Sequence, residues 1–515
     1  MTTHETGGGE QAAVFAYLSD PATHGLHEPV KRIDTHAASV FLAGAEVYKV
    51  RRAVRYPFLD FSTLDLRHKA CEAEITVNHA NAPALYRGVV AITERDGALH
   101  LGGAGRVVEW AVHLRRFDEG MTLDHLAERG PLGAALTDRL AAAIRAAHAR
   151  APRSGDLGSV AHLRVIVSDS VADLRAAHGI LPPDGVERVA QALGAAFEAV
   201  ESLLLGRAAQ GFVRRCHGDL HLGNIVLIEG EPVLFDAIEF DDRIATCDLL
   251  YDLAFLLMDE WERGLREDAN HLLNRYLAGG EAGLAQIEGL LAMPFFLALR
   301  AAIRAKVLAA LARMSEEAEA PRRRAARYLE AVEDFLAPAA PRLIAVGGLS
   351  GSGKTRLAAA LAPNLGRAPG ALHLRSDLIR KEIFGVAETE RLGAGAYEPA
   401  VSAEVYRRLA ERARAGLRAG QSVILDATHL RPEERLAAED LAVTEGAGFT
   451  GFWLDAPVGV LADRVVARQG DASDATPAVV SAQAARDHGM IGWQRLESAG
   501  DFAALLASAR ALARL

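Results

Sequence analysis

Two groups of residues in this chain have the types and spacing for phosphate chemistry. The first is Cys216-His217-Gly218-Asp219-Leu220-His221-Leu222-Gly223-Asn224, followed by Asp236 at the end of the apolar stretch Val233-Leu234-Phe235. Moving a phosphoryl group to a hydroxyl needs a carboxylate to orient the hydroxyl and take its proton. It also needs oxygen ligands that hold Mg²⁺ on the ATP phosphates. Asp219 is placed for the first task. Asn224, five residues on, and Asp236 are placed for the second, as hard oxygen ligands suited to Mg²⁺.

The second group is Gly348-Leu349-Ser350-Gly351-Ser352-Gly353-Lys354-Thr355, a complete GxxxxGK[ST] loop. Its glycines, Gly348, Gly351 and Gly353, let backbone N–H groups, those of Ser350 and Ser352 among them, turn inward around phosphates. Lys354 reaches the β and γ oxygens and Thr355 ligates Mg²⁺. Leu343-Ile344-Ala345-Val346 before the loop reads as a buried strand, and Arg356-Leu357-Ala358-Ala359 after it as a helix. That strand–loop–helix context is what such a loop requires.

Further residues separate a kinase from a motor ATPase. Leu374-Arg375-Ser376-Asp377 ends a second strand-like segment. Asp377 can accept the proton of an incoming hydroxyl, or it can serve only as a helix N-cap. Arg380-Lys381 can hold an anionic acceptor or the transferring group. Val423-Ile424-Leu425-Asp426 reads as a buried strand ending in a metal-side carboxylate. Arg464 and Arg468, one helical turn apart before the polar segment Gly470–Asp474, read either as lid arginines over the phosphates or as an exposed helix face. His221, His373 and His429 are assigned to packing and hydrogen bonding.

The elements that must position these residues fall into two series. Ser39–Leu42 and Glu46–Val50 around Gly44 read as a hairpin, 64–79 as an amphipathic helix, and 86–92 and 107–114 as further strands. After Asp118 the chain turns helical, most clearly over 136–148 and 186–205. Residues 281–336 also read as helices, with Arg322-Arg323-Arg324 on a solvated face. Ala337-Pro338-Ala339-Ala340-Pro341 is a compact linker, after which strand and helix alternate to the end. The expected fold is therefore an α+β bilobal kinase-like domain followed by an α/β P-loop NTPase domain with a parallel sheet. The expected divisions are a flexible segment over 1–27, a first domain over 28–336, a linker over 337–341 and a second domain over 342–515.

Composition sets the remaining limits. At 515 residues the chain is too long for one ordinary core. A formal charge of −10 argues against general nucleic-acid binding, which favours a basic face. Three cysteines, Cys71, Cys216 and Cys247, match neither a zinc pattern nor a disulfide framework. The start of the sequence shows no apolar signal-peptide region, and the most apolar stretch, 289–299, is too short to cross a bilayer. The expectation is a cytoplasmic protein with no membrane partner.

On the motif Asp219 to Asn224 with Asp236, the region from about 28 to 336 resembles the aminoglycoside phosphotransferase family, a branch of the kinase-like fold. It is especially similar to the bacterial subgroup that joins this domain to a P-loop kinase. The resemblance implies that Asp219 is the catalytic base and that Asn224 and Asp236 hold the metal. It implies that Lys49 contacts the ATP phosphates, paired with Glu74 or Glu72, and that the adenine lies near Trp110–Arg116. It gives Asp248 and Asp252 a structural role. No GxGxxG loop precedes Lys49; Thr35, His36 and Ser39 stand there instead. Glu239, Asp241 and Asp242 read as a polar turn or as an acidic acceptor rim. Residues 342–515 resemble P-loop small-molecule kinases related to gluconate kinase, polynucleotide kinase and zeta-type toxins. That resemblance implies that Asp377 acts on the acceptor hydroxyl and that Arg464 or Arg468 stabilises transferred charge.

The expected function is a bifunctional ATP- and Mg²⁺-dependent phosphotransferase with a small-molecule hydroxyl acceptor at each site. The alternative is one active kinase domain with the other as a nucleotide-binding regulatory module. Aminoglycoside resistance and a toxin-like or nucleic-acid-end kinase rank below both.

Overall fold

The computed structural model describes residues 8–56, 59–154, 158–278, 283–314, 318–467 and 472–515. The chain divides into two compact units. One comprises residues 1–132, 146–159 and 208–252, and the other 133–145, 160–207 and 253–515.

The first unit is built on an antiparallel sheet in the order Lys31–Asp34, Ala38–Ala43, Glu46–Arg51, Arg106–Arg115, Tyr86–Arg95, Ala98–Leu101. Phe41 and Val50 on one face are wholly buried with Ile92 and Ala111. Cys71, Leu85 and Val112 form the core on the other face, where the Leu64–Asn78 helix packs. Thr63 caps that helix, accepting a hydrogen bond from the Leu66 N–H at 3.3 Å. Among the described residues, three short antiparallel pairs accompany this sheet, one of them Arg55–Tyr56 with Leu59–Asp60. Ile225–Ile228 with Glu231–Leu234 frames the Asn224–Asp236 segment, and Val213–Arg215 with Thr246–Asp248 precedes the His217-Gly218-Asp219 loop.

One expectation is corrected here. The start of the chain, read as loose to residue 27, forms a helix over Gly8–Ser19. Val14 and Leu18, four residues apart, lie on one helix face and are buried in the Phe41 core. Gln11 extends the attachment: its Nε2 donates to Glu109 Oε2 at 2.7 Å, and its Oε1 accepts from the Ala53 N–H at 2.8 Å. The glycine-rich opening disguised an apolar i, i+4 pair.

The second unit holds helices and a five-stranded parallel sheet. The strand order is Leu372–Arg375, Val423–Asp426, Arg342–Gly348, Gly448–Asp455, Gln494–Glu497. Arg342–Gly348 is central, and its Leu343, Ile344, Ala345 and Val346 are all fully buried. A parallel strand covered by helices on both faces reads as a continuous apolar run, which is why this segment shows no alternation. Leu357, Leu361 and Leu505 close the core on one side. Among the helices, Met293–Met314 packs along Glu319–Leu336. The Pro183–Ala209 helix is long and apolar enough to cross a membrane by length and composition. Its Val189, Leu193 and Phe197 are buried along one face, while most of its apolar window is not buried.

Candidate active sites

In the first unit a cavity of about 480 Å³ is lined by Lys49, Glu74, Asp219, Asp236 and Glu239, with Leu114–Phe117 and Thr35 at its walls. Lys49 sits on the Glu46–Arg51 strand. Its Nζ donates to Glu74 Oε1 at 3.0 Å and to Asp236 Oδ1 at 2.8 Å. Glu72, the other residue of the expected pair, faces His68 instead. Burial alone would lower the Lys49 pKa, but the Asp236 and Glu74 carboxylates outweigh it and raise it, so the lysine stays charged. The same ammonium holds the Asp236 carboxyl below the usual range. Asp236 has φ +58°. This left-handed conformation is uncommon for a residue with a side chain, and such strain clusters at functional positions. Two partners fix it: the Asp236 N–H donates to the Tyr86 hydroxyl at 3.1 Å, and the Ala237 N–H to Asn78 Oδ1 at 2.7 Å.

Asp219 and Asn224 are brought together on one turn. The Asn224 Nδ2 donates to the Asp219 backbone oxygen at 2.9 Å and to its Oδ2 at 3.0 Å. That orientation leaves the Asn224 Oδ1 as the group available to a cation. His221 caps the short turn Leu222–Asn224, its Nδ1 accepting from the Gly223 N–H at 3.1 Å. Asp252 braces the loop from below: its Oδ1 accepts from the Gly218 N–H at 2.8 Å, and its Oδ2 lies 3.1 Å from His148 Nε2. Asp248 accepts from the Leu250 N–H at 2.8 Å.

Sequence reasoning missed Arg51. Two positions after Lys49 on the same strand, it bridges Glu74 and Glu239, and all three side chains are buried. Glu239 is thus a buried partner of Arg51 inside the cavity. Asp241 caps the Asp242–Ala245 turn, and Asp242 pairs with Arg215 at 2.9 Å. The i, i+2 spacing of two cations on a strand was the available signal: both must face the same side of the sheet.

In the second unit a larger cavity, about 1120 Å³, opens over the glycine loop. Gly348, Gly351 and Gly353 have φ of +130°, +85° and +92°. A Cβ on Gly348 would stand 2.6 Å from the Leu454 carbonyl oxygen, and one on Gly351 2.6 Å from that of Leu461. Both positions therefore require glycine. The loop runs into the Lys354–Leu361 helix, whose N-terminal N–H groups and dipole favour an anion. Lys354 Nζ donates to the Leu349 carbonyl at 2.8 Å, folded back over its own loop. Ser350 and Thr355 line the cavity. Ser352 is fully buried, and its hydroxyl has no hydrogen-bond partner among the described residues.

Asp377 and Asp426 face this cavity with opposite electrostatics. Burial, with the Asp426 charge adding, raises the Asp377 pKa. For Asp426 burial pulls upward as well, but the His373 hydrogen bond and the charges of His373, Arg375 and Lys354 bring it down to about 2. His373 Nε2 lies 3.0 Å from Asp426 Oδ2, and Arg375 Nε lies 3.8 Å from the same oxygen. Two carboxylates driven apart in this way divide into a permanently ionised ligand and a proton acceptor. Asp377 stands in the first turn of the Ser376–Phe384 helix, whose N-cap is Arg375.

The expected cations fall differently. Arg380 lines the cavity, stacks over Tyr397 at 4.7 Å and donates to the Ala396 carbonyl. Lys381 is buried and paired with Asp474 at 2.7 Å, so it holds the fold rather than an acceptor. Arg464 is likewise corrected: it donates to the Ser498 carbonyl at 2.8 Å and does not line the cavity. Arg468, with Gly470 and Asp471, lies outside the described residues. Arg431 and Arg486 line the cavity instead. Arg486 follows the Pro477–Ala484 helix, which docks on the glycine loop through Gln483 Oε1, 2.9 Å from the Ser350 N–H. An arginine pair one turn apart looks alike whether the helix face is packed or open, so the spacing could not separate the two outcomes.

Comparison with known proteins fixes the family. The chain is 32% identical over 480 residues, 91% of its length and 92% of theirs, to uncharacterized proteins of Mycobacterium bovis and Mycobacterium tuberculosis. It belongs to their family. Within it, the phosphotransferase enzyme family model matches residues 68–290 and an AAA domain family model matches residues 343–487. The family is therefore an APH-type phosphotransferase domain followed by a P-loop kinase domain; the first match runs over parts of both compact units and the second lies within the second unit. Among solved structures, a choline/ethanolamine kinase family protein of Mesorhizobium loti is 15% identical, with a TM-score of 0.41. That match covers 63% of this chain and 95% of the other. A gluconokinase of Sinorhizobium meliloti is 25% identical with a TM-score of 0.24, covering 34% of this chain and 93% of the other. Both domains are thus of the phosphotransferase or kinase type, and the P-loop of the second implies ATP binding.

Proposed function

We propose that the protein is a bifunctional, ATP- and Mg²⁺-dependent phosphotransferase of the cytoplasm, with one site in 28–336 and one in 342–515, each acting on a hydroxyl of a small molecule. The observation that carries the reading is that each site brings together a lysine for phosphates, an oxygen-ligand set for a metal and a separate carboxylate for a proton; all of these line their cavity except Asn224, which is bonded to Asp219 at 3.0 Å. In the first site these are Lys49, then Asn224 with Asp236, then Asp219. In the second they are Lys354, then Thr355 with Asp426, then Asp377.

Both donor sets suit Mg²⁺: they are all-oxygen, and Asp236 and Asp426 both have depressed pKa values. A bound Mg²⁺ would neutralise charge on the nucleotide phosphates. The chain's own residues do the rest. Lys49 and Lys354 orient phosphates, Asp219 and Asp377 orient and deprotonate the acceptor hydroxyl, and Arg380, Arg431 and Arg486 place positive charge around the second cleft. Catalysis of this kind rests on positioning and charge, without a covalent enzyme intermediate.

Calorimetric titration with Mg²⁺·ATP tests the reading directly. Two nucleotides per chain are expected, falling to one in Lys354→Ala and to one in Lys49→Met. A wild-type stoichiometry of one, unchanged by either substitution, would contradict two sites.

A further inference from the structure

The strand that carries Arg375 to the second cleft, Leu372–Arg375, is the edge of the parallel sheet; it pairs with Val423–Asp426 on one side only. An edge strand leaves a row of backbone N–H and C=O groups without a neighbour, and nothing in its own hydrogen bonding fixes its outer side. Here that side is occupied by two side chains of the Arg266–Ala278 helix, which comes earlier in the chain. The Asn274 Oδ1 accepts from the His373 N–H at 2.7 Å, and its Nδ2 donates to the Ala371 carbonyl at 3.1 Å. One side-chain amide thus meets the carbonyl of residue 371 and the N–H of residue 373, as the N–H and C=O of a single residue in a neighbouring parallel strand would. Asn270 adds two bonds, its Nδ2 donating to the Pro369 and Ala371 carbonyls, each at 3.0 Å.

The fit is close. Asn270 is 4% exposed. A Cβ on Gly370 would stand 2.7 Å from the Asn270 Nδ2, so glycine is what lets the amide approach. Arg275 on the same helix reaches Glu388 at 2.9 Å, tying down the loop after the Ser376–Phe384 helix. The strand so held places His373 on Asp426 and leads without a break into Asp377.

We propose that Asn270 and Asn274 are positioning residues of the P-loop site: their amides act as a substitute strand that fixes the sheet edge, and through it His373, Asp426 and Asp377. The P-loop domain then takes part of its active-site support from a helix lying before its own first strand. The inference rests on the phosphotransferase reading of the second cleft.

The test uses the full chain carrying Lys49→Met, to silence the first site, in wild-type, Asn274→Leu and Asn274→Asp forms. Hydrogen–deuterium exchange compares residues 371–377 with the central strand 342–348. In Asn274→Leu, exchange over 371–377 is expected to rise by about tenfold, the scale of a lost buried hydrogen bond, while 342–348 keeps its protection. Asn274→Asp keeps the acceptor for the His373 N–H and is expected to restore part of the protection. Steady-state ATP turnover should show a reduced kcat in Asn274→Leu with KM for ATP unchanged, because the glycine loop hangs on the central strand. Unchanged exchange at 371–377 would overturn the proposal. So would loss of protection spread equally over all strands, which marks general fold support. ATP-induced protection of residues 348–355, compared with Lys354→Ala, tests the P-loop reading separately.

Discussion

The two sites solve one charge problem with different materials. The first assembles its phosphate-side machinery from side chains: Lys49 and Arg51 on one strand, Glu74 on a helix, Asp236 and Glu239 beyond the second hairpin. Lys49 and Asp236 are 187 positions apart. The second relies on a glycine loop of eight consecutive residues that runs into a helix N-terminus. A side-chain network of buried ions is costly to break and depends on the whole unit folding around it. A glycine loop is local, and its precision comes from close packing against Leu454 and Leu461. The first site should therefore lose stability along with chemistry when a buried partner is lost, and the second should lose chemistry alone.

The largest effects should fall on the bases and the P-loop lysine. Asp219→Ala is expected to reduce only the first activity, and Asp377→Asn only the second, each by roughly 10²–10⁴ in kcat, the scale of general base catalysis. Lys354→Ala should nearly abolish the second activity. Rates measured for each acceptor separately check all three. The second activity should also rise with pH through the elevated pKa of Asp377, an acid limb that Asp377→Asn removes.

Next comes the contrast in stability. Arg51→Ala leaves Glu239 a buried carboxylate without its cation and takes one of the two cations from Glu74, and should cost about 3–5 kcal/mol, read by chemical denaturation. Lys354→Ala, at the cavity surface, should leave the denaturation midpoint nearly unchanged. Equal midpoints for the two variants would erase the distinction drawn above.

A smaller effect separates two arginines of the second unit. Arg486→Ala should lower the second activity by about tenfold, in line with loss of one charge-assisted contact. Arg464→Ala, which removes only a bond to the Ser498 carbonyl, should leave turnover within about twofold.

The smallest effect concerns Glu260, which no site uses. It is fully buried, neither carboxyl oxygen has a hydrogen-bond partner among the described residues, and burial with the charges of Asp268 and Asp259 pushes its pKa well above the usual value. A carboxyl with a raised folded pKa is protonated in the native state and ionised in the unfolded chain. Its contribution is therefore intact below the unfolded pKa, near 4.3, and is lost as pH rises toward the folded value. Glu260→Gln should stabilise the protein at pH 7 to 8, with the gain shrinking toward pH 4. Thermal melts across that range would show it.

Much of this was legible in the residues. The glycine loop, its flanking strand and helix, and the Asp219–Asn224 turn are local patterns, and local patterns survive in sequence. Asp426 was legible because it ends a short apolar run, and Asp377 because it follows a strand-like segment, both at the carboxyl edge of a parallel sheet. The choice of Glu74 over Glu72 needed the rotation of the Leu64–Asn78 helix, which its weakly amphipathic sequence does not fix. Arg51 went unnoticed, and Glu239 read as part of a polar turn or an acceptor rim, because they are 188 positions apart in sequence. The Gly8–Ser19 helix was hidden by its glycines, and Arg464 by a spacing common to open and packed faces. Asn270 and Asn274 carry no motif at all; their meaning depends on which strand is left at the edge.

The central claim is two independent phosphotransferases in one chain. It is tested most directly by incubating a pooled cytosolic metabolite extract with ATP, Mg²⁺ and wild type, Asp219→Ala or Lys354→Ala, and reading new phosphorylated products by mass spectrometry. Two product sets are expected, one lost only in Asp219→Ala and the other only in Lys354→Ala. A single product set abolished by one substitution and untouched by the other would contradict the claim and leave one domain as a nucleotide-binding regulator.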